Sequence, residues 1–160
     1  MGNSCIKSGI QFESYKLDNV SFEMIPEVSI LSKKEYSKCE IKYRFAFRNA
    51  LRLKNNNKTL YITGLKIDLS IFDKELDKVI ANGAFVITGI FSSSEELDKG
   101  VEEKLIKCQA PTILFPYIRA SITTLLSMAG FSTIILPLIN VANAAESLDL
   151  KIEDVEIKEK

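Results

Sequence analysis

The 160-residue chain carries 21 Lys plus Arg against 21 Asp plus Glu, no His, no Trp and three Cys, and 46% of it is apolar. That is about one domain's length of globular composition, which excludes a disordered segment and argues against a dedicated DNA binder, since such proteins carry a basic excess. Without histidine there is no Ser-His or Cys-His nucleophile and no imidazole zinc ligand, so an enzyme would have to work with carboxylates, Lys or Tyr.

Residues 1–8 lack a long apolar run, so no secretory signal is expected, and Ile6 stands where an N-myristoylation start needs Ser or Thr. Cys5, Cys39 and Cys108 form no C-x-x-C pair, which fits a reduced, intracellular setting without a metal or cofactor. Residues 9–25, with Ile10, Phe12, Val20, Phe22 and Met24, predict a long, irregular first strand ended by Pro26. Residues 26–40 read as a loop with exposed Val28, Ile30 and Leu31. Ile41, Tyr43, Phe45 and Phe47 then alternate with Lys42, Arg44, Ala46 and Arg48, the period of a half-buried strand. Asn55–Lys58 is a turn. Leu60 and Ile62 lie in one phase and Leu65, Ile67, Leu69 and Ile71 in the other, which predicts a bulge at Gly64. After the charged segment 73–78, Val79–Phe91 reads as a fourth strand, and short links favour an antiparallel meander.

Helices follow. Ser92 with Glu95, or Ser93 with Glu96, offers a capping box for a helix through Leu97, Val101 and Leu105. Pro116 suits the first position of a second helix and Gly130 its C-terminal end. The second helix has an apolar stripe of Ile118, Ile122, Leu125, Leu126 and Ala129. Its opposite face, with Ser121, Thr124 and Ser127, carries no charge, which predicts packing on both sides, against another subunit or, as the alternative, wholly within the monomer. From Ala120 to Ala145 the chain has no charge at all. Polar Ser, Thr and Asn residues, with Gly130 and Pro137, divide that run into a helix, a break and a buried extended segment rather than a membrane span. The tail Glu146–Lys160 mixes six acids and three bases around apolar residues at spacings that fit neither period.

Two charged features are candidate sites. Glu95-Glu96 and Glu102-Glu103 read as a solvated helix face rather than a catalytic pair. Lys42, Arg44, Arg48, Arg52 and Lys54, with no acid between Ile41 and Thr59, form a basic stretch across residues 42–54. It could serve a small nucleic-acid-binding or protein-interaction module, although a solvated sheet face is the commoner use of such residues.

Pro111-Thr112-Ile113-Leu114-Phe115-Pro116-Tyr117-Ile118-Arg119, followed by Ile122, resembles the helix-entry motif Pro-Asn-Ile-Leu-Phe-Pro-Tyr-Ala-Arg-Glu of the SecB protein-export chaperones. Tyr15 with Val20-Ser21-Phe22-Glu23 is similar to that family's first-strand segment, with one residue extra. Asn82-Gly83-Ala84-Phe85 with Gly89-Ile90 is similar to its fourth strand, and Leu136–Val141 to its apolar proline segment. The resemblance spans about residues 10–143 of a single 1–160 domain and leaves 146–160 as a charged tail.

The resemblance implies an α+β fold. A four-stranded antiparallel sheet with helices packed on one face would assemble as a dimer of dimers, a cytoplasmic homotetramer. It implies no catalysis, but a holdase that binds unfolded polypeptides in apolar grooves and passes precursors to SecA. By position, the peptide-binding residues would be Phe22, Met24, Val28, Ile30, Leu31, Leu138, Ile139 and Val141. Tyr117, Ser121, Thr124, Ser127 and Met128 would lie in the oligomer interface, and Asp18 and Glu23 would supply SecA-type docking. Departures weaken the last expectation: Ala120 follows the motif arginine where the family has Glu, and Lys78 falls where the docking surface is acidic. SecB-like proteins that serve one antitoxin in toxin–antitoxin systems are the other member of the class such a chain fits.

Overall fold

The computed structural model describes residues 9–26, 39–131 and 135–156. Strand β1 spans Ile10–Met24, β2 Cys39–Phe47, β3 Ala50–Asn55, β4 Lys58–Asp73 and β5 Lys78–Ser93. Helix α1 (Lys99–Lys104) continues through a π-helical turn, Leu105–Gln109, into α2 (Ala110–Met128). A short helix α3 (Val141–Glu146) and a short strand β6 (Ile152–Asp154) complete the described chain.

The sheet is six-stranded, in the order β1-β5-β4-β3-β6, with β2 also on β4. It is mixed rather than wholly antiparallel, because β6 runs parallel to β3. Nor is it a meander: β1 pairs β5 rather than β2, the return that the long link between Met24 and Cys39 permits. The irregularity expected of β1 takes the form of register shifts between Phe12 and Ser14 and between Leu17 and Asn19.

The bulge expected at Gly64 lies instead in the partner strand. β4 pairs β5 without a shift from Thr59 to Ile71. Phe47 pairs Leu65 whereas Leu51 pairs Ile62, so Arg48, Asn49 and Ala50 oppose only Thr63 and Gly64. The inward phase of β4 is continuous: Tyr61, Thr63, Leu65, Ile67, Leu69 and Ile71 are buried, and Leu60 and Ile62 belong to the outer face. Gly64 is needed there because a Cβ would stand 2.9 Å from the Ile87 carbonyl oxygen and 3.0 Å from Cδ of Arg48.

The two expected helices are one continuous rod. Leu105, Gln109 and Ala110 all keep right-handed helical dihedrals. Ser92 and Ser93 still belong to β5, and α1 begins after Asp98 with no side-chain cap. Pro111 occupies the first turn of α2, and Pro116 lies inside the helix, exposed, where its missing N–H leaves one bond to the preceding turn unmade. The end is as expected. Gly130 has φ 93°, its N–H bonds the Ser127 carbonyl at 3.1 Å, and the Phe131 N–H bonds Leu126 at 2.7 Å, a Schellman motif.

The core lies between the helices and the inner sheet face. Leu114, Ile118, Ile122 and Leu126 of α2 are fully buried over Leu65, Ile67, Phe85, Ile87 and Phe91. α2 comes so close to β5 that a Cβ on Gly89 would lie 2.7 Å from the Leu114 side chain. Among the described residues no helix is long and apolar enough to cross a membrane.

Candidate functional site

A helix with one buried stripe leaves its other face free, and on α2 that face is uncharged. Thr112, Pro116, Tyr117, Ala120, Thr124, Ser127 and Met128 are exposed, and Ser121 is half-buried. The one charged residue of the helix, Arg119, is turned aside, its Nε donating to the Leu136 carbonyl at 2.8 Å. Beside this face the inward residues of β1 reach past the helix. Tyr15, Leu17 and Val20 are exposed, and the Tyr15 ring lies 4.3 Å from that of Tyr117. Four of the five residues expected at an oligomer interface are therefore open in the single chain, joined to an apolar strip of β1.

A second apolar surface follows the end of α2. Only Leu136 of the segment 135–140 is fully buried, whereas Ile135 is 59% exposed and Leu138 80% exposed, so the segment is far less buried than expected. Phe22 meets Phe131 edge-on at 6.4 Å, placing the end of β1 against the end of α2. Phe22, Met24 and Ile139 are partly buried against the core. Val141, by contrast, is 3% exposed in α3, a core residue and not a groove residue, because its helix packs down on the π-helical turn. Val28, Ile30 and Leu31 lie outside the described residues.

On the far side of α2 is a row that the sequence pattern marked only as half-buried strand. Tyr43, Phe45 and Phe47 line the inner side of β2, with ring centroids 5.5 and 6.5 Å apart in sequence, and Phe45 lies 6.0 Å from Phe115. Among the described residues β2 pairs only β4, so this aromatic row borders an open sheet edge. The period-2 alternation was the signal. What it could not show was that α2 stops short of covering the row.

The basic stretch is not one face. Lys42 and Arg44 point to the outer face, while after the bulge Arg52, paired with Tyr61, points inward. Each charge is also engaged: Arg44 with Asp68 at 3.7 Å, Arg48 with Asp18 at 3.6 Å, and Lys54 with Glu96 at 3.6 Å. Lys42 lies over the Phe72 ring. The stretch is thus split between the two faces of the sheet, and Arg44, Arg48 and Lys54 each stand beside an acid rather than in one basic row.

Arg52 instead anchors a corner of the fold. Its Nη1 donates to both oxygens of Glu102 at 2.8 and 2.9 Å, and its Nε and Nη2 donate to Asp154 at 2.6 and 2.9 Å. Glu102 is buried, not solvated as expected, and also accepts from the Tyr61 hydroxyl at 2.7 Å. Burial, then this bond to a carboxylate, pushes the Tyr61 hydroxyl well above the usual phenol range. The hydrogen bond from Arg52 holds the Asp154 carboxyl below its usual range.

The expected docking acids sit on the outer sheet face among bases. Asp18 accepts from the Thr88 hydroxyl, which lowers its pKa, and is paired to Lys16 at 3.5 Å and to Arg48. Glu23 is exposed opposite Asn82 and shares a shallow hollow of about 760 Å³ with Asp68, itself paired to Lys66 at 3.1 Å. Lys78 opens β5, exposed. Among the described residues there is no group of His, Cys, Asp or Glu placed to hold a metal ion.

Comparison with known proteins places this geometry. The uncharacterized protein MJ0357 of Methanocaldococcus jannaschii is 27% identical over 154 residues, covering 96% of this chain and 94% of that protein. The solved structure of the Mycobacterium tuberculosis SecB-like chaperone Rv1957, in complex with a ChAD peptide from the Rv1956 HigA1 antitoxin, matches with a TM-score of 0.58. Its identity is 12%, over 81% of this chain and 90% of that one, so the likeness is one of fold. The family model for the preprotein translocase subunit SecB matches residues 7–145, and the chain therefore belongs to the SecB family.

Proposed function

We propose that this chain is a chaperone of the holdase type, without catalytic activity, that binds unfolded or non-native polypeptide over the apolar surfaces flanking α2. The observation that carries this is the exposure of Ile135, Leu138 and Tyr43 on a SecB-family fold. Large apolar side chains left open to water in this way are unfavourable unless a partner covers them. Phe22, Met24, Leu138 and Ile139 are the proposed client contacts, with Val28, Ile30 and Leu31 added on the strength of sequence alone. Tyr43, Phe45 and Phe47 extend the surface to the open edge of β2, where an extended client could also use backbone hydrogen bonds. A client bound while unfolded cannot complete its own core, which is how a holdase opposes folding and aggregation.

Tyr117, Ser121, Thr124, Ser127 and Met128 are the proposed assembly contacts. An uncharged face of this length suits a subunit interface, and the dimer of dimers in the cytoplasm is proposed from the family resemblance. Of the two client classes, a dedicated antitoxin is favoured over delivery to SecA, because acids on the outer sheet face are neutralised by Lys16, Arg44, Arg48 and Lys66 and Lys78 adds positive charge. The neighbour's bound antitoxin peptide supports the same preference. Aggregation of a heat-unfolded model protein with and without the purified chain tests the holdase function. Suppression at near-stoichiometric ratio is expected, and unchanged light scattering would overturn it. A pull-down with SecA and with the antitoxin of the same genome is expected to retain the antitoxin.

A further inference from the structure

The outer edge of β3 is occupied by the chain's own tail. Ala50, Leu51 and Arg52 pair Ile152, Glu153 and Asp154 in parallel register. The Ala50 N–H bonds the Lys151 carbonyl and the Val155 N–H bonds the Arg52 carbonyl, both at 2.9 Å. Side chains repeat the grip. Asn49 accepts from the Lys151 N–H through Oδ1 and donates through Nδ2 to Glu153 Oε1, both at 3.1 Å, and the free fork of Arg52 takes the Asp154 carboxylate.

The two halves of this contact differ in rigidity. On the receiving side, Arg52 is held by Glu102, which Tyr61 holds in turn, and these bonds turn its Nε and Nη2 toward the edge. The tail contributes little burial: Ile152 is half-buried, and Glu153, Asp154, Val155 and Glu156 are exposed. Three parallel pairs with little apolar cover make a weak strand, held in place largely by its tether, which supplies a high local concentration.

We propose that the β3 edge, with Asn49 and the Arg52 fork, is a recognition site for an extended peptide bearing a carboxylate, and that residues Lys151–Val155 fill it in cis. The incoming strand adds its backbone to β3 and places its acid where Asp154 lies. The occupant is a client segment, for which the inference rests on the chaperone function proposed above. The site itself does not depend on it.

The test uses the full chain and a labelled synthetic peptide copying residues 149–156, followed by fluorescence anisotropy. Asp154→Ala, at an exposed position, loosens the tail without touching the core. It is expected to tighten peptide binding at least roughly tenfold over the wild type, since a charge-assisted pair is lost from the competitor. A peptide with Asn in place of its Asp154-equivalent should lose that gain, as should Arg52→Lys in the Asp154→Ala background. Circular dichroism checks that both variants fold. No gain with Asp154→Ala, or equal binding of the Asp and Asn peptides, overturns the site. Loss of assembly in Asp154→Ala would put the tail on a neighbouring copy and overturn the cis arrangement. Binding of an unfolded protein is measured in parallel. If that binds and the peptide does not, the edge site alone has failed; if the peptide binds and the unfolded protein does not, the chaperone function has failed.

Discussion

β2 and β3 are two halves of what the sequence presents as one strand, and they differ in nearly every respect. Both pair β4, but one extra residue near Arg48–Asn49 shifts the register between them. In β2 the inward face is aromatic and, among the described residues, the outer edge is unpaired. In β3 the inward face carries Arg52 and the edge is capped by the tail. Because side chains alternate, a one-residue slip exchanges the two faces, and here it turns a basic stretch into an internal clamp. Among the described residues the first half leaves its outer edge unpaired, and the second half holds the tail.

Four substitutions or conditions sharpen that contrast. Arg52→Leu in β3 strands the buried Glu102 without its partner and is expected to cost about 3 kcal/mol or more, read from the urea midpoint. Tyr61→Phe removes one hydrogen bond to the same carboxylate and should cost about 2 kcal/mol. Tyr43→Ser, on the open half, should change stability by no more than about 1 kcal/mol, as the ring is partly exposed, yet weaken client binding roughly fivefold. If Tyr43→Ser destabilises as much as Arg52→Leu, the division of labour between the halves is wrong. The smallest effect concerns pH. Asp154 is held below its ordinary value of 3.8, so its contribution is present above that pH and is lost as pH falls through the lower folded value. Hydrogen exchange at the Val155 amide should therefore show constant protection from neutral pH down to about pH 4, and loss only below it.

The α+β order, the four long strands, the Gly130 helix end and the uncharged face of α2 were legible, because each rests on local periodicity or a single turn residue. Leu60 and Ile62 misled. They look like core by type, but Tyr61 and Thr63 are the inward residues, Tyr61 burying its ring and satisfying its hydroxyl on Glu102. That bond joins residues 41 apart, and Arg52 to Asp154 joins residues 102 apart, so no pattern along the chain could announce either. For the same reason Glu102 passed for a surface acid and Ile152–Asp154 for a featureless tail. The Tyr43, Phe45 and Phe47 row was visible as alternation, but its openness depends on where α2 ends over the sheet.

The most direct measurement is the affinity of the purified chain for a permanently unfolded protein at low and high salt, beside a duplex oligonucleotide. A chaperone working through Leu138, Tyr43 and their neighbours binds the unfolded protein at both salt concentrations and leaves the duplex free, because apolar contacts are not screened. Failure to bind the unfolded protein, together with duplex binding that falls steeply with salt, would contradict it.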